Sequence, residues 1–291
     1  MPTVDLPAGR IHYAETGTGP PVVLLHGLLM NRTVWDGVID MLPSGFRYIR
    51  PDLPLGAHPE PLDPDADLSL RGLNVLVADL LAALDLTDVT VVHSDWGGAL
   101  FLTAYGLDER VGAVVALPCE AFDNFPPGLP GVVSMLAARV PGGLAIGLRQ
   151  LRVPWLRRTP LMFGAMARLP LPDALVWGWT EPGIGSAAVR RDVLKYLRSQ
   201  FTKAETIANT NALSRFRGDT LVLWSSAGKV MPRDHGRRLA DLVPGARLVE
   251  IDDAYVLSML DRPERVAAEL GAFLRGRVAG RSRDPRRGRP T

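Results

Sequence analysis

Apolar positions along the chain fall into two kinds of run. Pro21-Val22-Val23-Leu24-Leu25 is continuous rather than alternating, which fits a strand covered on both faces, as in a parallel sheet flanked by helices. Val89 to Val92, Val111 to Leu117 and Leu221 to Trp224 read similarly, and Gly9 to Glu15, Phe46 to Arg50 and Arg247 to Ile251 complete the predicted strands. Between them, Leu70 to Leu84, Gly98 to Tyr105, His235 to Leu242 and Pro263 to Leu274 carry helical periodicity. Strand and helix in alternation predict an α/β fold, a doubly wound, mostly parallel sheet.

The alternation stops at residues 125–204. Helical patches broken by Pro and Gly replace the strands there, over a stretch too long for an ordinary loop. The expected organisation is a sheet core in two parts, 1–124 and 205–275, interrupted by a helical cap insertion at 125–204. The cap is expected to roof a pocket, and each of its aromatics (Trp155, Phe163, Trp177, Trp179, Tyr196) taken singly reads as core.

Composition adds three constraints. The 291 residues are 47% hydrophobic and 22% charged, as expected of a chain that buries a sizeable core. The net charge of +2 hides a tail: residues 276–291 hold six Arg and one Asp, which leaves the rest of the chain at −3. That tail is predicted to be disordered, and the acidic remainder argues against a nucleic-acid partner. A single cysteine, Cys119, excludes an internal disulfide framework and a cysteine zinc cage, so no metal and no cofactor are expected. With no signal-peptide pattern and no membrane-length apolar run, the expectation is a cytoplasmic protein without a membrane partner.

The chemistry concentrates in Val91-Val92-His93-Ser94-Asp95-Trp96-Gly97-Gly98. A strand, a reactive side chain, two glycines and a predicted helix describe a sharp turn that exposes its central residue above the sheet. The following helix N-terminus is expected to set partial positive charge beside Asp95.

With AGRIHYAETGTGPPVVLLHG before it and LVLWSSAGKVMPRDHGRRLADLVPGARLVEI after it, this segment resembles the α/β-hydrolase superfamily over about Val4 to Arg275. Within that superfamily it resembles the aspartate-nucleophile branch, the haloalkane dehalogenases and epoxide hydrolases. The resemblance implies that Asp95 attacks a saturated carbon to give an ester, and that the indole of Trp96 faces the leaving group. It makes the backbone N–H groups of Leu28 and Trp96 an oxyanion hole, and gives His26 the role of orienting its loop. It also exposes a departure. The acid of the family pattern falls on Gly228 and the histidine on Val256, and no histidine follows His235. Ordinary hydrolytic turnover is therefore in doubt.

Candidate substitutes are His93, crowding the elbow; His58, on a loop near the pocket; and Glu120, a pocket carboxylate or a hinge residue. Asp123 is a weaker acid candidate, Asp252 and Asp253 read as capping or turn residues, and Tyr255 offers a hydroxyl. His12 and His235 read as structural. The expected function is Asp95 chemistry on a small apolar molecule of haloalkane or epoxide type. The alternatives are a non-hydrolytic catalyst (cyclase, lyase or isomerase) and a catalytically inactive binding homologue.

Overall fold

A computed structural model describes residues 1–97, 99–199 and 202–283. Eight strands, β1 (Thr3–Leu6), β2 (Gly9–Thr16), β3 (Pro21–Leu24), β4 (Arg47–Pro51), β5 (Val89–Asp95), β6 (Val111–Cys119), β7 (Asp219–Ser225) and β8 (Arg247–Ile251), form one sheet in the order β1-β2-β4-β3-β5-β6-β7-β8. β1 and β2 pair antiparallel, as do β2 and β4, and every pairing from β4 through β8 is parallel. The continuous apolar runs are the central strands. All seven residues of β5 are buried, because helices cover both faces. β1 was not predicted: only Leu6 of its four residues is buried, so it shows no apolar run.

The helices of the sheet layers are α1 (Asp36–Ile39), α2 (Leu70–Ala83), α9 (Arg233–Leu242), α10 (Ser258–Asp261) and α11 (Pro263–Arg283). Between β6 and β7 the chain forms α3 (Gly128–Arg139), α4 (Gly143–Leu151), α5 (Pro154–Arg157), α6 (Asp173–Gly185), α7 (Ala187–Arg198) and α8 (Lys203–Ala212). No strand interrupts the described residues of that segment.

Two predictions need correction. Residues 276–283, expected to be disordered, continue α11, where Arg277 is nearly buried between Asp88 and Asp219 and donates to Thr90 Oγ1 at 2.7 Å. These ion pairs hold the helix against the N-terminal ends of β5 and β7. The rest of the predicted tail, 284–291, lies outside the described residues. The helix predicted over 98–105 is a single 3₁₀ turn, Ala99–Phe101, followed by turns. Leu100, Phe101 and Leu102 are all buried, whereas an amphipathic α-helix would turn one of three consecutive residues outward.

Candidate active site

Asp95 closes β5 with φ of +55°, a left-handed conformation uncommon for any residue but glycine. Such strain persists only where the surroundings enforce it. β6 supplies one constraint, with Cys119 in register opposite Asp95. The loop after β3 supplies another: a Cβ built on Gly27 would lie 2.1 Å from Asp95 Oδ2, so only glycine lets that backbone approach the carboxylate.

His26 holds this loop. Leu53 N–H donates to its Nε2 at 2.8 Å, which leaves Nδ1 protonated and donating to the Gly27 carbonyl at 2.9 Å. Burial pushes the His26 pKa down to about 4, so the ring is neutral and structural. The role that the resemblance implies for His26 fits this geometry.

The backbone N–H groups of Leu28 and Trp96 both donate to the Asp95 carboxylate. They take the place of the expected helix N-terminus, since only a 3₁₀ turn follows. Burial nevertheless dominates, the charge of Glu120 adds to it, and together they raise the Asp95 pKa to about 7 against the pull of the two N–H donors.

Glu120 and His93 are both buried, with His93 Nε2 3.7 Å from Glu120 Oε2. Neither His93 ring nitrogen makes a hydrogen bond among the described residues. From α7, Tyr196 completes the group. Burial first, then the charges of Glu120 and Asp95, push its phenol well above the ordinary tyrosine range. Its ring meets Trp96 edge-on at 5.8 Å, and Phe125 meets Trp96 at 5.6 Å.

Asp95, Trp96 and Leu28 open into a cleft of about 740 Å³, open solvent at its mouth included. The remaining walls come from the insertion, including Val133, Leu144, Leu148, Phe163 and Met166, with Val230 from the loop after β7. Apart from Asp95, Ser134 and the ring nitrogen of Trp96, the lining side chains are apolar. Glu120 and His93 lie outside the lining.

Other predicted candidates go elsewhere. His58 Nε2 lies 3.3 Å from Asp192 Oδ2 on α7, and Leu62 N–H reaches the same oxygen at 2.7 Å, so this pair clasps the insertion to the core. For Asp192, burial acts upward, but bonds from His58, Leu62 and Arg191 outweigh it and lower its pKa. His12 pairs with Glu60 at 3.0 Å. His235 lies 3.5 Å from Asp123, which also faces Lys203 at 3.7 Å and is half exposed. Asp252 accepts from Ser226, and Asp253 pairs with Arg168 and Arg262. Tyr255 is partly buried and outside the cleft lining. Trp155 and Trp177, read as core, are instead 71% and 51% exposed.

The loops after β7 and β8 meet. A Cβ on Gly228 would stand 3.5 Å from Tyr255 Cα and 3.8 Å from Val256 N. Val256 itself is fully buried. Asp261 ties this loop down, accepting N–H groups from Tyr255, Arg168 and Leu169 at 2.9 to 3.0 Å. Sequence reasoning missed two contributors to the site. Tyr196 stood out only as one aromatic among several, and nothing in the sequence linked it to Asp95. Gly27 had a visible signal in the His26-Gly27 pair that ends the β3 run.

The comparisons with known proteins agree with this architecture. An uncharacterized protein of Mycobacterium tuberculosis is 27% identical over 91% of this chain and 78% of its own. A soluble epoxide hydrolase of a Corynebacterium strain is 36% identical over 40% of this chain and 42% of its own. The crystal structure of a putative ancestral haloalkane dehalogenase superposes with a TM-score of 0.76 at 19% identity, over 96% of this chain and all of the other, a likeness of fold. No helix among the described residues is long and apolar enough to cross a membrane. The sequence profile of the alpha/beta hydrolase family matches residues 22–269, and the chain belongs to that family.

Proposed function

We propose that Asp95 is the reacting group of a hydrolase-fold enzyme acting on a small apolar molecule at a saturated carbon. The observation that carries this reading is a strained, buried carboxylate facing a cleft with apolar walls, its charge met by two backbone N–H groups. Relatives named as an epoxide hydrolase and a haloalkane dehalogenase support the substrate class. In the first step an ionised Asp95 oxygen bonds to the carbon, and the carbon–halogen electron pair leaves as halide. With an epoxide, the ring oxygen takes the electron pair and then a proton from water. In this reading the indole N–H of Trp96 receives the leaving group.

Release of the ester needs water and a base. Gly228 and Val256 offer neither an acid nor a histidine, and the ester is expected to persist. If a substitute exists, it is the buried pair Glu120 and His93 behind Asp95.

A second reading has one observation in its favour. A carboxyl titrating at about 7 is matched to proton transfer near neutral pH. Asp95 would then act as a base in a cyclisation, elimination or isomerisation, with the missing histidine protecting the product from hydrolysis.

Intact-protein mass spectrometry separates these readings. The full chain is incubated with small alkyl bromides and epoxides beside Asp95→Asn. A lasting alkyl adduct on the wild type alone supports alkylation with stalled release. Many turnovers of halide or diol, abolished by Glu120→Gln or His93→Gln, would identify the substitute base. Neither adduct nor turnover across the panel would sink the first reading and leave the base chemistry or an inactive binding protein.

A further inference from the structure

Nine of the thirteen strongly exposed large hydrophobic residues among the described residues fall between Leu129 and Trp177. On α3, Leu129, Val132 and Leu136 repeat at three and four positions, which puts them on one helix face, and Val140 follows just beyond. The other face, with Gly131, Val133, Ser134 and Ala137, lines the cleft. α3 is thus an outer helix that is apolar on both sides, a pattern that ordinarily means both sides are covered. Ile146 on α4 and Trp155 on α5 are also more than half exposed.

Within the α3–α5 stretch itself the charged residues are of one sign. Residues 128–172 contain six Arg and no Asp or Glu. Arg152, Arg157 and Arg168 pair with acids from outside that stretch. Arg139 and Arg149 donate only to carbonyls of their own helices, and with Arg158 they form no ion pair among the described residues. Exposed Trp, Leu and Val beside unpaired Arg is the composition of a helix surface that lies in an anionic lipid interface. A second copy of this chain would bring like charges together, whereas anionic headgroups complement them.

We propose that the α3–α5 face docks the protein on an anionic membrane surface. Leu161 both lines the cleft and is 48% exposed, so the cleft reaches the surface within this same segment. Docked this way, the enzyme would take apolar substrates from the lipid phase without crossing water. This revises the sequence-based expectation of no membrane partner, which rested on the absence of a spanning stretch.

Flotation of the full chain with vesicles tests the proposal. Phosphatidylcholine vesicles are compared with vesicles containing about one-third phosphatidylglycerol, alongside two triple variants that change only exposed side chains. The wild type should float with the anionic vesicles and lose binding as salt rises. Arg139→Gln/Arg149→Gln/Arg158→Gln should weaken that binding roughly 100-fold. Leu129→Ser/Leu136→Ser/Trp155→Ser should weaken it at least about 10-fold, with melting temperatures confirming that both variants fold. Asp95→Asn should bind like the wild type, which keeps this test independent of the Asp95 chemistry. The idea is overturned if the wild type ignores anionic vesicles or if the apolar triple variant binds them equally well. It is also overturned if sedimentation without lipid shows a dimer that the apolar variant dissolves, because a second copy would then cover the face.

Discussion

Two loops at the same end of the sheet are built on opposite terms. The turn after β5 holds Asp95 in a left-handed conformation, pushes its pKa up to about 7 and, among the described residues, leaves the neighbouring His93 ring without a hydrogen bond. The loop after β8 buries Val256, and Asp261 satisfies three backbone N–H groups around it. The first carries backbone strain and a buried carboxyl, both of which cost stability. The second is arranged for stability alone. The resemblance would put a histidine at Val256, so under the proposed function the two loops would be the retained and the lost parts of one site.

The most direct way to erase that difference is Gly228→Asp with Val256→His. If the loop after β8 has lost only its side chains, the lifetime of an Asp95 alkyl ester should fall at least about 100-fold, since removing such a base costs on the order of 10⁴-fold. Mass spectrometry of adduct decay measures it. An unchanged lifetime would mean that the backbone has also moved out of reach.

Asp95→Asn should release the strain on the other side. The folded pKa of about 7 lies above the unfolded value of about 3.9, so the folded state holds the proton more tightly. Protonated Asp95 therefore costs the fold little below pH 4, and wild-type stability declines as pH rises through 7. Asn does not titrate. The variant should match the wild type near pH 4 and exceed it by about 4 kcal/mol above pH 7, several degrees in melting temperature. Equal pH profiles for the two proteins would contradict this account of Asp95.

Asp261→Ala should act in the opposite direction and cost about 3 kcal/mol by stranding three backbone donors, read as a lower midpoint in denaturant. A near-neutral result would show that the loop after β8 is not held by this carboxylate. The smallest effect is expected from Glu120→Gln. Alkylation by Asp95 should rise with pH through about 7 as the carboxyl ionises, and removing the neighbouring charge should move that rise to lower pH. An unmoved midpoint in adduct formation against pH would place Glu120 outside the site.

Central strands were legible because a strand buried on both faces carries a continuous apolar run, such as Val22-Val23-Leu24 in β3, Val91-Val92 in β5, Val114 to Leu117 in β6 and Leu221 to Trp224 in β7. β1 was not, because an edge strand with one buried residue has no such signature. Asp95 was legible because a tight strand-end turn needs small residues around a reactive one. His58 was expected on a loop near the pocket as a candidate base, and the sequence could not show that it meets the buried Asp192, which lies far away along the chain.

The sequence by itself determined the alternation of most elements, the stretch without strands between β6 and β7, the turn at Asp95 and the lack of any histidine after His235, because these depend on local order. Only the tertiary structure decided what surrounds the elbow. Glu120, Tyr196 and the Gly27-Leu28 backbone come from three separate segments, and their joint effect on Asp95 depends on distances that no spacing along the chain encodes. The exposed face of the insertion is equally tertiary. An apolar run looks the same whether it turns inward or outward, and packing alone put Trp179 inside and Trp155 outside.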